Sequence, residues 1–157
     1  MRKGQIFDAI RSWWQKVGSV YYPESDYLLI LADCGGSNGY RIRLWKDRLQ
    51  HALCSRNNLR VKDCHYPPGS SKWNPIEHRM FSFISENCAG RPLADDETAL
   101  KFIRTTKTET GLSIRAILND KKYQKGIRIS DEQMEKININ FHTLRPEWNY
   151  SICPDRM

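Results

Sequence analysis

The stretch YLLILADCGGSNGYRIRLWKDRLQHALC, residues 27–54, decides the fold. Its first six residues, Tyr27 to Ala32, are a continuous apolar run of strand length, as expected of a β-strand covered on both faces. Asp33 ends the run, and the loop CGGSNG follows. Ile42, Trp45, Leu49 and Leu53 then recur at helical spacing, which predicts a helix over 39–54 with Asn38 as its N-cap. Arg41, Lys46 and Arg48 fall off that stripe, where solvated surface and DNA contact are the competing readings.

Working outward, Ile6, Ile10, Trp13, Trp14 and Val17 share one helical face over residues 5–17, with Gly18 as the stop. Downstream, NLRVKDCHY predicts a second short strand over 58–64. PPGSSKW is a turn-rich loop. A third helix is predicted over 75–88, with Ile76, Met80, Phe83 and Ile84 on its core face. The alternation of helix and strand indicates an α/β layer with parallel pairing. Two strands do not make a stable sheet alone. A helix near 95–105, the alternating GLSIRAIL, the segment KGIRIS and a capping box of Ser130 and Gln133 follow. The closing INFHTLRPEWNYSICP reads as irregular, and its strands either extend the sheet or pair with each other.

The bulk properties narrow the function classes. The chain has 157 residues, 39% of them hydrophobic, and a net charge of +7. That is one domain, with or without an appended segment, and a partner of polyanion type fits the charge. The five cysteines (34, 54, 64, 88 and 153) are odd in number and contain no Cys-x-x-Cys pair. This argues against a zinc ribbon or a disulfide framework. Asp8 and Arg11 interrupt the N-terminal segment, so no signal peptide is expected, and YLLILA is too short to span a bilayer. A cytoplasmic protein with no membrane partner is the expectation. CGGSNG lacks the Lys-Ser/Thr of a phosphate-binding P-loop.

Two acids stand out. In an open parallel sheet, ligands sit at the carboxyl ends of strands, and Asp33 is at such an end. Glu77 opens the helix after the next strand. If the strands are neighbours, both carboxylates face one rim and suit a hard cation such as Mg²⁺. The alternative for Glu77 is local: Asn74 as N-cap, Pro75 at N1 and Glu77 at N3 make a capping box. Asp33 also reads as a turn residue. Beside Glu77, Lys72 can neutralise a phosphate and Trp73 can stack on an unpaired base or anchor the loop. Asn74 and Arg79 lie within a turn of them. His65 and His78 read as structural or surface histidines.

LLILADCGGSNGYRIRLWKDRLQ and HYPPGSSKWNPIEHRMFSFI together resemble the catalytic half of a bacterial insertion-sequence DDE transposase of the Rhodopirellula type. SWWQKVG, TTKTETGLSIRAILND, YQKGIRISDEQM and EWNY extend the resemblance over nearly the whole chain. It implies an RNase H-like core, two Mg²⁺ (or Mn²⁺) ions, and an Asp-Asp-Glu triad that cleaves transposon-end DNA and joins it to target DNA. Residue by residue, Asp33 matches the second aspartate and Glu77 the glutamate, as catalytic and metal-binding positions. Lys72, Trp73, Asn74 and Arg79 are the DNA-binding candidates. Residues 1–90 correspond to the C-terminal part of the core and 91–157 to a family-specific α+β extension.

The family's first aspartate lies on a strand upstream of SWWQKVG, and Asp8, on the polar side of a helix, does not match it. The resemblance therefore implies a truncated, nucleoid-associated transposase that is inactive alone. It also implies an unpaired apolar edge on strand 27–32, and hence self-association or pairing with a full-length transposase. Two other readings stand beside it. One is a non-catalytic DNA-binding or interaction module. The other is a stand-alone nuclease that recruits Asp63 as its third acid.

Overall fold

The computed structural model describes residues 5–124 and 126–155. They belong to two compact units. One is Met1–Pro68 with Tyr123–Met157, and the other is Gly69–Lys122. The expected division at residue 90, into core and extension, is one of role, which packing does not test.

The first unit is built on a four-stranded sheet in the order β1-β2-β4-β3. Strand β1 (Tyr27–Ala32) pairs in parallel with β2 (Arg60–His65), with Ile30 opposite Asp63 and Ala32 opposite His65. The expected parallel pair is therefore present. The C-terminal segment, read as irregular, supplies two more strands, β3 (Ile139–Phe141) and β4 (Asn149–Ile152). Both extend the sheet: β4 pairs antiparallel with β2 and with β3. The mixed α/β architecture is compatible with a partial RNase H-like fold.

Among the described residues, the helices of this unit cover one face of the sheet. Phe7, Trp14, Trp45, Leu49 and Leu53 from the helices pack with Ile30, Val61, Tyr150 and Ile152 of the strands. The other face of β1 carries Tyr27, Leu29 and Leu31, all exposed. The continuous apolar run thus does not mean two covered faces among the described residues. No described strand pairs with the outer edge of β1, as expected for that edge.

Gly18 does not stop the first helix. Gln5–Trp13 passes into a wider π turn (Trp14–Gly18) and a final α turn (Ser19–Tyr21). Gly18 is instead a place of close approach, because a Cβ there would lie 2.6 Å from the Trp14 ring. Nor is Asn38 an N-cap. It ends a short 3₁₀ turn (Gly36–Asn38), and the next helix begins at Arg43. That helix continues through Leu49–Cys54 and Ser55–Asn57, and Asn58 ends it in the left-handed region at φ 49°.

Lys46 is not solvated surface. Its ammonium lies 5.0 Å over the Tyr150 ring, and burial lowers its pKa. Buried Gln50 ties this helix to the C-terminal strands: its amide donates to the Cys153 carbonyl (2.8 Å), and its oxygen accepts from the Asn138 N–H (2.8 Å).

In the second unit, the helix at 75–88 forms as expected, but its expected core face is not buried: Ile76 and Phe83 are exposed, and Met80 and Ile84 are half-buried. Asp95 caps Asp96–Thr105 through the Thr98 N–H. GLSIRAIL forms no strand, contributing only an isolated bridge between Lys107 and Ser113. Back in the first unit, KGIRIS is likewise irregular over its described residues, whereas the Ser130–Gln133 capping box is complete.

The one carboxylate buried in the sheet is Asp63. Its Oδ2 accepts from Trp45 Nε1–H and from the Tyr150 hydroxyl, each at 2.6 Å. Its Oδ1 is buried with no partner among the described residues. Burial raises the Asp63 pKa, and it outweighs His65, Trp45, Tyr150 and Lys46, which favour the charged form. A carboxyl raised in the folded state keeps its proton there at pH values where the unfolded chain has lost it. Stability from this group therefore falls as pH rises from the ordinary carboxylate value through the raised one. Asp63→Asn removes that dependence. The urea midpoint of the variant relative to wild type is expected to move in the variant's favour as pH rises through this window, and a pH-independent difference would contradict the assignment.

Candidate functional site

Asp33 is the first residue beyond the carboxyl end of β1, and it is exposed. Among the described residues, no hydrogen bond or ion pair engages its carboxylate. Its place is set by backbone bonds between the strand ends. Tyr66 N–H donates to the Ala32 carbonyl (2.7 Å), and the Tyr66 carbonyl accepts from the Cys34 thiol (2.8 Å). Burial pushes the Cys34 thiol pKa up, the Asp33 charge adds to the rise, and Arg41 opposes it. Asp33 and Arg41 thus act on one thiol from the same loop.

His65 anchors the far end of that loop. It is buried, with Nδ1 facing the Trp148 carbonyl (3.2 Å) and Nε2 facing the Asn38 carbonyl (2.9 Å). Asp63 Oδ2 lies 4.0 Å from His65 Nε2. His65 is a structural histidine, as expected from sequence, and its task is to hold the CGGSNG turn against β2 and the Trp148 turn.

Asp63 does not act as a third rim acid. It is fully buried, on the covered face of β2, and its Oδ2 is occupied by Trp45 and Tyr150.

Glu77, Lys72, Trp73, Asn74 and Arg79 all belong to the second unit, and Asp33 to the first. Within the second unit, Ser71–Trp73 forms a 3₁₀ turn and Asn74 caps the helix that follows. Asn74 Oδ1 accepts from Ile76 N–H (3.2 Å), and its carbonyl accepts from Glu77 N–H (3.1 Å). The capping box is thus half made. Asn74 caps, but no hydrogen bond or ion pair among the described residues engages the exposed Glu77 carboxylate. Capping leaves that carboxylate available.

The remaining candidates sit close by. His78 Nε2 lies 2.7 Å from the Lys72 carbonyl and so pins the turn to the helix. Trp73 is 70% exposed, with Lys72 Nζ 5.1 Å from its ring centre. The loop-anchor reading does not hold for an indole this open. Arg79 is exposed one turn into the helix.

The Rhodopirellula transposase DDE domain model matches residues 4–154. The chain belongs to this transposase family. No curated protein and no solved structure shows significant similarity to it. Membership in the DDE transposases implies a DNA substrate and the use of divalent metal ions. The free carboxylates of Asp33 and Glu77 are donors of the right type, because hard cations favour oxygen. Among the described residues, no group of three His, Cys, Asp or Glu is placed to hold a metal ion. Nor is any described helix long and apolar enough to cross a membrane.

Sequence reasoning left Arg41 between solvated surface and DNA contact, without linking it to Asp33; in this transposase domain it lies in the Asp33 loop. Of its neighbours, Arg43 is anchored to Asp131 (2.6 Å) and to the Ile129 carbonyl (3.2 Å). Among the described residues, Arg41 has no such anchor.

The cap at Asn74 is testable. Asn74→Ala is expected to destabilise the helix start by about 1 kcal/mol, seen as several-fold faster amide exchange at Ile76 and Glu77, whereas Asn74→Asp keeps protection. Unchanged exchange in the alanine variant would show that the cap does not hold Glu77 in place.

Proposed function

We propose that the chain acts in DNA transposition, through phosphodiester cleavage and strand transfer, with Asp33 and Glu77 as two carboxylates of a divalent-metal site. The observation that carries this reading is the unengaged Asp33 carboxylate at the tip of β1, at the position that corresponds to the family's second aspartate. The ions, two Mg²⁺ or Mn²⁺ in the complete site, would stabilise charge on the attacking and leaving oxygens. The chain's own share is to fix the carboxylates and to bind DNA. Lys72 and Arg79 offer cations to phosphates, Trp73 offers an open ring for an unpaired base, and Asn74 sets the start of the helix that bears Glu77.

We further propose that the described residues form an incomplete site. A third carboxylate would arrive on a strand added at the free edge of β1, from a second copy or from a full-length transposase. The absence of any three-residue metal group among the described residues supports this, and so does the unpaired, apolar β1 edge. In a cell, such a chain would be found on the nucleoid, with the DNA it binds.

The test is DNA binding by the purified chain, with and without Mg²⁺ or Mn²⁺, alongside a cleavage assay. Metal is expected to strengthen binding. Asp33→Asn and Glu77→Gln are each expected to abolish that gain, with no cleavage by any form. A binding curve indifferent to metal would sink the metal-site reading. Cleavage by the chain alone would refute only the incomplete site. Separately, Lys72→Ala with Arg79→Ala is expected to weaken duplex binding and to flatten its salt dependence by about one unit of slope per lost phosphate contact. Unchanged affinity and slope would remove these residues from the DNA surface.

A further inference from the structure

We propose that the pocket beside Asp33 seats a phosphodiester group of a DNA strand, with Arg41 as its cation. This rests on the transposase reading above for its ligand, although not for its metal.

The pocket has a volume of about 400 Å³ and lies wholly within the first unit. This falls within the range of about 300–1,000 Å³ usual for ligand sites. Cys34, the residue after Asp33, forms one wall, and Pro68 forms another. Gly36 and Gly39 supply a third, made of backbone rather than side chain. Gly36 sits at φ +72°, and a Cβ there would meet nothing closer than Asn38 Oδ1 at 3.7 Å. Gly39 has no such room, since a Cβ would lie 3.0 Å from the Cys34 carbonyl.

Arg41 supplies the charge. It is exposed, and no hydrogen bond or ion pair among the described residues uses its guanidinium. It is nonetheless held in place, with its Cζ 5.0 Å from the Tyr40 ring centre. Tyr40 is fixed in turn by edge contacts to His65 (6.1 Å) and Trp148 (6.2 Å). A guanidinium stacked on an immobilised ring gives up little further freedom when it binds, and its planar fork matches phosphate oxygens. Arg43, two residues on, has the same side chain but is consumed by Asp131. The pocket thus presents one stacked cation, with no hydrogen bond or ion pair among the described residues, beside the backbone of two glycines, and Asp33 is the residue before Cys34 of its lining. A phosphate here would have attraction from Arg41 before any metal ion shields it from Asp33. The predicted signature is a component of DNA affinity that survives chelation.

The experiment uses the full chain in EDTA and a short labelled single-stranded DNA, with anisotropy read across a salt series. Arg41→Gln is expected to weaken binding several-fold and to reduce the slope of log affinity against log salt by about 0.7, the value for one contact to a single strand. Arg41→Lys is expected to keep the slope. Equal affinity and slope in wild type and Arg41→Gln would overturn the proposal while leaving metal-dependent binding through Asp33 and Glu77 untouched. No binding by the wild-type chain, with or without metal, would overturn both readings.

A free mononucleotide that competes as well as the strand would show a nucleotide pocket rather than a strand contact. A matching RNA that binds more tightly, with the same Arg41 dependence, would overturn the choice of DNA. A second measurement needs no variant. In wild type, DNA is expected to slow modification of Arg41 by phenylglyoxal, read by mass spectrometry, while sparing the rate at Arg48. An unprotected Arg41 overturns the proposal.

Discussion

Asp63 lies fully buried on the covered face of β2, and its Oδ2 takes hydrogen bonds of 2.6 Å from two distant parts of the chain. Trp45 comes from the helix after the Asp33 loop. Tyr150 comes from β4, on the far side of β2. A buried carboxyl is costly unless its bonds are made. These two donors therefore join three segments that sequence separates widely, and any register in which one is missing leaves the acid stranded. The β1–β2 and β2–β4 pairs have their own ladders, and this point adds the side-chain bonds that tie the helix and Tyr150 to β2.

The candidate site inherits its order from the same cluster. His65 follows Asp63 on the same face of β2 and grips the Asn38 and Trp148 carbonyls. Tyr40 packs edge-on to His65 and Trp148 and carries the Arg41 guanidinium on its ring. Asp33 and Arg41 are thus exposed at their charged ends and fixed at their roots. A functional loop on a rigid scaffold is the usual arrangement for binding and catalysis.

Much of this frame was legible in the sequence, for local reasons. Tyr27–Ala32 is bounded by Asp26 and Asp33, and both ends of the strand fall where composition changes. Asn-Pro ahead of Ile-Glu fixes a helix start by cap chemistry, and helix 75–88 follows it. What failed depends on distant contacts. β3 and β4 are three and four residues long and rich in Asn and Ser. Pairing of β4 with β2, and of β3 with β4, makes them strands. Asn38 has a capping residue's chemistry, but its carbonyl is held by His65 and the chain needs four more residues before the helix begins. Exposure of Leu29 and Leu31 was equally invisible, since an apolar run records what a strand can bury and not what covers it. Arg41 and Arg43 look alike in sequence, and only the position of Asp131 separates them.

The seating of β4 between β2 and β3 bears on how the protein is made. β1 and β2 leave the ribosome before β4, so one side of β2 stays without its neighbour until residues 149–152 have been synthesised. Over that interval Asp63 lacks the Tyr150 hydroxyl. Addition of β4 therefore follows synthesis of the parallel pair. Until then, the emerging chain presents just the kind of surface that chaperones recognise.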